Sequence, residues 1–331
     1  MRYFLSALFA VLLLAIGGLV YLLKSHPVIQ PIDGADGNPQ SSIRLLFLGT
    51  SSMAWTDDTS TWLIDGFFSR PAIEKVIFTR LNVDKPRVDE VITEVFRRLN
   101  MPEVLSGIVV AHSHYDHSMD APYLAMQYGG RLVGSESTWQ IAKGQDLPAL
   151  QMDLQAEQGQ VSFGNFDIRL QESAHAPTGF TGGFNNKPVF LPAHALQFKE
   201  GVSYSFLVSH PSMGSAPFAL IQPSAGFIPG QNKDVRVNTV LLGMGGLGKL
   251  SDEYIAEYWQ EMVLNTQAKT VYLIHWDDFT LPLIQEGKIK PLKSMPTALD
   301  DFPRSLELLK MFSKRDEVTL HILNAWEMVY F

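Results

Sequence analysis

Ala111-His112-Ser113-His114-Tyr115-Asp116-His117-Ser118 gathers three histidines and an aspartate into one short stretch. Imidazole nitrogens and carboxylate oxygens are ligands for Zn²⁺, and they also serve iron or manganese. His112 and His114 alternate, so at a strand end both side chains reach toward one ion. Asp116 and His117 come after the turn and face a second position nearby. The bland reading, a polar loop that binds nothing, has to account for all four groups within six residues. Just before them, Leu105-Ser106-Gly107-Ile108-Val109-Val110 is a short apolar run with β-branched residues, which predicts a buried strand. The cluster therefore lies where a strand gives way to a loop, the place where α/β architectures collect ligands.

The pattern His-x-His-x-Asp-His, in the version His112-Ser113-His114-Tyr115-Asp116-His117, resembles the signature of the metallo-β-lactamase superfamily. The resemblance can be followed from about Ile43 to Phe331. It implies a four-layer αββα sandwich with one or two metal ions at the sheet edge, Zn²⁺ foremost and Fe or Mn as alternatives. It also implies hydrolysis by a metal-held hydroxide, with Asp116 orienting the nucleophile. On this resemblance His175, ending a strand, joins His112 and His114 on the first ion, with His194 in the following loop competing for the place. His275, ending another strand, joins Asp116 and His117 on the second ion. One position departs from the pattern: Ser224 stands where the superfamily has a bridging aspartate. A hydroxyl is a poor ligand for a divalent ion, which leaves four outcomes. They are a hydroxide-only bridge, a single metal, Asp234 reaching in from the next loop, or an inactive metal-binding scaffold. The motif and the Leu63-Ile64-Asp65-Gly66 opening are similar to the branch holding lactonase-like and N-acyl phospholipase D-like enzymes. An ester, lactone, amide or phosphodiester is the expected bond, in a small-molecule, lipid or envelope-derived substrate.

The elements that must position these residues alternate between strand and helix patterns. Ile43–Leu48 and Ser60–Gly66 flank a Gly/Ser/Thr turn and predict an opening β-hairpin, with Asp65 either a turn former or a carboxylate behind the metals. Val88, Val91, Ile92, Val95, Phe96 and Leu99 recur at helical spacing, predicting an amphipathic helix over Arg87–Leu99. Met119–Gln127 and Glu136–Lys143 read as helices around a short strand, Arg131–Gly134. Gln160–Phe163 and Phe166–Leu170 make a hairpin over Gly164-Asn165 that runs on to His175. Pro177–Gly201 is glycine-rich with several phenylalanines and reads as a lid, a substrate wall or a plain insertion. Strands follow at Ser203–Val208, Phe218–Gln222, Asn238–Leu242 and Lys269–Ile274, the last delivering His275. His210 is read as a turn residue. Gly243-Met244-Gly245-Gly246-Leu247-Gly248 resembles a phosphate cradle but lacks the lysine and hydroxyl order of one, so it predicts a close-approach loop. Asp277 and Asp278 either orient His275 and handle protons or belong to a solvated loop. A helix capped by Ser251, another over Leu299–Phe312, and two closing strands complete the body, with His321 structural.

With 331 residues and 46% hydrophobic content the chain can bury a large core. Its net charge of -8 and lack of any Lys/Arg-rich run argue against nucleic acid as partner. Without cysteines there are neither disulfides nor thiolate ligands. Tyr3–Leu23 is uncharged and mostly apolar between Arg2 and Lys24, and ~20 such residues suffice to cross a bilayer. It carries no evident cleavage site, so residues 1–24 are expected to be an uncleaved transmembrane helix. With its amino end inside, the body lies on the extracytoplasmic side of the cell membrane. Residues 25–42 contain Pro27, Pro31, Gly34, Gly37 and Pro39 and read as a flexible linker, leaving 43–331 as the hydrolase domain.

Overall fold

Leu45 and Phe47 point to one face of the opening strand and Leu46 to the other, and the same alternation sorts the core into layers. The computed structural model describes residues 17–18, 21–22, 24–29, 32, 37–153, 159–177 and 182–331. The expected membrane-crossing run Tyr3–Leu23 falls almost wholly outside the described residues, as does 178–181 of the glycine-rich loop. Among the described residues no helix is long and apolar enough to cross a membrane.

The strands in chain order are β1 (Arg44–Phe47), β2 (Met53–Thr56), β3 (Thr61–Ile64), β4 (Gly107–Val109), β5 (Arg131–Val133) and β6 (Met152–Asp153). Then come β7 (Gln160–Phe163), β8 (Phe166–Ser173), β9 (Ser203–Ser209), β10 (Ala219–Gln222), β11 (Thr239–Gly243) and β12 (Thr270–Ile274). The last four are β13 (Ile284–Gln285), β14 (Lys288–Ile289), β15 (Thr319–Ile322) and β16 (Met328–Tyr330). Two seven-stranded sheets form, ordered β16-β1-β2-β3-β4-β5-β6 and β15-β12-β11-β10-β9-β8-β7, with β13-β14 a separate ribbon. Leu45, Phe47, Trp55 and Trp62 of the first sheet meet Phe163, Phe166, Ile168 and Phe206 of the second, filling the space between them. The helix Lys85–Leu99 buries Val88, Val91, Ile92, Val95, Phe96 and Leu99 on the outer face of the first sheet. Ile255, Tyr258 and Trp259 of the helix Asp252–Trp259, with Phe302, Leu306 and Leu309 of Phe302–Asp316, cover the second. Helices thus lie on both outer faces of a two-sheet sandwich.

Several elements differ from the sequence reading. The opening is a three-stranded meander rather than a hairpin, because Met53–Thr56 returns beside β1 before β3 runs back. The helix expected over 119–127 spans Ala121–Tyr128 and ends at Gly129, and a separate helical turn, Tyr115–Ser118, precedes it. The helix starting at Asp252 ends in a π-turn over Gln260–Leu264. Linker residues 25–29 lie along the body: His26 Nδ1 is 2.9 Å from the Ser294 carbonyl, and Ser294 Oγ donates to the Pro27 carbonyl at 3.2 Å.

Topology places the chemistry. β3, β4, β5 and β6 run parallel, as do β10, β11, β12 and β15. Since β9 is antiparallel to both β8 and β10, the carboxyl ends of β8, β10 and β12 share one edge. His175, Ser224 and His275 follow those ends directly.

Candidate metal centre

Ser113 explains why its two histidine neighbours point inward. Its hydroxyl lies 3.0 Å from Ser135 Oγ and 2.8 Å from Thr138 Oγ1, and its amide donates to the Glu200 carbonyl at 2.7 Å. Ser113 is thereby held outward, and the alternation sends His112 and His114 the other way. His112 Nε2 and His114 Nδ1 are 2.9 Å apart, and the His175 ring lies 4.6 and 4.8 Å from theirs. The short helical turn beginning at Tyr115 then carries Asp116 and His117 to the adjoining position. There His117 Nε2 and His275 Nε2 are 3.3 Å apart, with Asp116 Oδ2 at 3.5 and 3.6 Å from them. Two three-residue groups result, His112–His114–His175 and Asp116–His117–His275, each with its ligand atoms within 4.8 Å of one another.

The remaining ring nitrogens show how these sets are aimed. His117 Nδ1 lies 2.8 Å from Asp65 Oδ2, so a proton on Nδ1 leaves Nε2 as the lone pair facing the site. Asp65 is itself fixed by the Ala111 amide at 2.8 Å and by the Ser51 hydroxyl. His175 Nδ1 donates to the Ala176 carbonyl at 2.7 Å, which likewise frees its Nε2. Lone pairs converging in a dry pocket repel unless a cation sits among them, so the donor set fits one or two divalent ions. The Zn²⁺-type sets would be His112, His114 and His175 for one ion and Asp116, His117 and His275 for the other.

Backbone strain concentrates around the same residues. Thr50, Asp65, Arg70 and His275 all have positive φ, of 54°, 58°, 38° and 54°. Such values are rare for side chains with a Cβ and rarest for a β-branched one, so the surroundings must hold them. Part of that hold is a 2.6 Å bond from the His275 amide to the Thr50 carbonyl. Gly245 supplies room: a Cβ there would stand 2.7 Å from His275 Nδ1.

His194 is exposed and caps the turn Ala195–Gln197, apart from the cluster, which leaves His175 as the histidine brought to the first set. His210 Nδ1 accepts from the Ser212 amide in a turn, and His321 stacks on Tyr272. Ser224 lines the cavity, but its hydroxyl accepts the Ala176 amide at 3.0 Å and so braces the strand end that carries His175. Asp234 is exposed and does not line the cavity. Asp277 and Asp278 are buried, which corrects the solvated-loop reading: Asp277 pairs with Arg70, and Asp278 accepts from Thr280. Asp300 went unread in the sequence, yet it lines the cavity and accepts amides of Gly246 and Gly248 at 2.9 and 3.0 Å. The phosphate-like glycine loop therefore cradles the chain's own carboxylate.

Electrostatics follow from burial and crowding. Burial, then the neighbouring His117 and His114, hold His112 far below the usual imidazole range; burial and His114 bring His175 down to about 3. Burial opposes the charge of Asp116, but His117 and His275 outweigh it and keep the carboxyl well below its ordinary range. Burial also opposes His117, and Asp65 and Asp116 more than offset it, raising that histidine. A pH dependence follows for the metal-free chain. Below an unfolded value of about 6.5, His112 and His175 bind protons only when unfolded, so stability falls as pH falls. His117 is charged in both states there, and Asp116 contributes only below about 4. Asp120, raised by burial to about 6, takes up a proton in the fold over the same range and offsets one of the two neutral histidines, so the net slope is about 1.4 kcal/mol per pH unit between roughly pH 6 and 4.5. Urea unfolding of chelator-treated protein across that range checks it, and a flat profile would show at least one of the two histidines protonated in the fold.

No family model matches the chain. The exodeoxyribonuclease WalJ of Streptococcus pneumoniae, in strains D39 and R6, is 25% identical over 229 residues, covering 65% of this chain and 78% of that protein. Among solved structures, the chain is similar to Igni18, a metallo hydrolase from Ignicoccus hospitalis, at TM-score 0.50 and 11% identity, over 87% of this chain and 98% of that one. It is also similar to CmlA, a diiron β-hydroxylase from Streptomyces venezuelae, at TM-score 0.52 and 13% identity, over 89% of this chain and 55% of that one. At such identities the likeness is one of fold, and the reactions belong to those proteins.

Proposed function

We propose that this chain, which has the metallo-β-lactamase fold, is a metal-dependent hydrolase acting on an ester, lactone, amide or phosphodiester. The observation carrying this reading is the pair of adjoining three-residue ligand sets in one cavity of about 360 Å³. His112, His114 and His175, with Asp116, His117 and His275, would hold a divalent ion, Zn²⁺ first and iron next, which would lower the pKa of a water from near 16 to roughly 7 and polarise the electrophilic oxygen. The chain's own residues do the rest. Asp116, kept ionised, accepts a hydrogen bond from the attacking water and fixes its direction. Asp65 holds the proton of His117 on Nδ1, and Ala176 that of His175, so neither ring turns away. Ala195, Leu196, Phe198, Phe279 and Met295 wall the cavity with apolar surface that limits water around the substrate.

Those walls and the Tyr3–Leu23 run favour an amphiphilic, lipid or envelope-derived substrate, met by a body held outside the cytoplasmic membrane. The WalJ likeness supports a second reading, exonuclease. Against it, among the described residues no Lys or Arg lines the cavity, whereas Asp277 and Asp300 do, so a strand's phosphates would meet carboxylates beside the ligand sets. A scaffold without turnover, the reading Ser224 suggests, is disfavoured because both ligand sets are complete.

The deciding measurement is metal content by elemental analysis for wild type and His114→Ala, alongside hydrolysis of ester, lactone, phosphodiester and single-stranded DNA probes. We expect bound metal and turnover of an ester, lactone or phosphodiester probe, with the substitution removing the ion of the first set and reducing turnover at least tenfold. Metal without turnover of any probe would favour the scaffold, DNA cleavage alone the exonuclease. No metal in a folded, metal-replete preparation would sink the reading.

A further inference from the structure

The helix Ile73–Phe78 buries none of its residues, although four of the six are apolar. Ile77 is 52% and Phe78 76% exposed, and across the cavity mouth Leu196 is 63% and Leu299 40% exposed. Ile77 and Phe78 directly follow Val76, through which the helix reaches the cavity. Val76, Leu196 and Leu299 all line the cavity, and a two-way backbone bridge between Leu81 and Ala193 ties the segment after the helix to the turn Ala195–Gln197. Exposed apolar groups gathered on a cavity rim need an occupant.

Two features identify that occupant. Lys24, the residue that follows the uncharged run Tyr3–Leu23, places its Nζ 3.0 Å from Glu74 Oε1 of this helix. On the helix's other flank, exposed Lys75, Arg80 and Lys85 line a hollow in which Asp84 is the one acid among the described residues. A local basic patch on a chain of net charge -8, beside outward apolar side chains, matches an anionic lipid surface: phosphates meet the ammonium and guanidinium groups while Ile77 and Phe78 enter the acyl boundary.

We propose that the helix Ile73–Phe78 and the turn Ala195–Gln197 form a lipid-docking rim that seats the cavity mouth on an anionic bilayer. The inference rests on the membrane placement of the N-terminal run proposed above, and it holds whichever bond is cut. Docked in this way, the cavity takes amphiphiles directly from the membrane.

The chain has no cysteine, so a single introduced one carries a unique label. The full chain is prepared as Thr79→Cys, beside the rim, and as Met311→Cys, exposed on the helix of the opposite layer, each with a polarity-sensitive fluorophore. Both are incorporated into vesicles of phosphatidylcholine with and without phosphatidylglycerol, and quenching by spin-labelled acyl chains is measured. The expected result is severalfold stronger quenching at 79 than at 311, greatest with phosphatidylglycerol. Adding Ile77→Ser/Phe78→Ser, or Lys75→Glu/Arg80→Glu, should bring position 79 to the level of 311. A chain that floats with vesicles while position 79 stays as wet as 311 would overturn the docking rim and leave the anchor standing. A chain that does not float would overturn both. A label at 79 that answers to single-stranded DNA or to a second copy of the chain, and not to lipid, would overturn it in favour of that partner.

Discussion

Asp116→Ala should lower kcat/KM by about 10²–10⁴-fold while reducing bound metal toward one ion per chain. The carboxylate lies 3.5 and 3.6 Å from the Nε2 atoms of His117 and His275, which are themselves only 3.3 Å apart. Without the anion, two imidazoles confront each other, and the second set keeps too few donors to hold an ion. The first set, His112, His114 and His175, shares no ligand with Asp116 and should retain its metal. Asp116→Asn separates the two duties. It keeps the shape and one carbonyl oxygen but removes the charge that His117 and His275 stabilise. Metal content and turnover measured for both variants decide the matter: unchanged stoichiometry and rate in Asp116→Ala would remove this residue from the machinery.

The candidate site was legible where its residues are neighbours in the chain. Contiguity brought out His112, His114, Asp116 and His117 at once, since no structural demand explains so many imidazoles at one strand end. His175 and His275 were picked out through the resemblance, which places ligands at strand ends, and each follows a stretch that reads as a strand. Asp300 was invisible for the opposite reason. Its role exists through the amides of Gly246 and Gly248, more than fifty positions away, and backbone donors leave no mark in a sequence. β2 was missed because Met53–Thr56 is buried on both faces and shows no alternation to read. The rim helix was missed because amphipathicity is recognised by a buried stripe, and this helix has none.

Arg70 was equally unreadable, an isolated arginine before a proline, and its loss should be the most destabilising single change in the domain. Its side chain and that of Asp277 are both fully buried and paired. Arg70 also donates to the carbonyls of Leu281 at 2.6 Å and Asp278 at 2.9 Å, so it ties the loop after β12 to its own segment. Asp277 Oδ1 accepts the Thr50 amide at 2.6 Å, and the Thr50 carbonyl accepts that of His275. Gly49 belongs to the same knot: a Cβ there would stand 2.5 Å from Arg70 Nη1 and 2.8 Å from Asp277 Oδ2. The pair therefore holds Thr50 and His275 in left-handed conformations that each cost about 1–3 kcal/mol. Arg70→Met leaves a buried carboxylate uncompensated, so unfolding free energy should fall by about 3–5 kcal/mol. Arg70→Met/Asp277→Leu removes both charges and should recover much of that stability. Turnover should stay low in the double variant, because the Thr50 amide and the loop carbonyls still lack partners and His275 is no longer held. A double variant as active as wild type would show that the ion pair stabilises the fold without positioning the metal ligand. A single variant losing less than about 1 kcal/mol would show that water or a rearranged loop replaces Arg70.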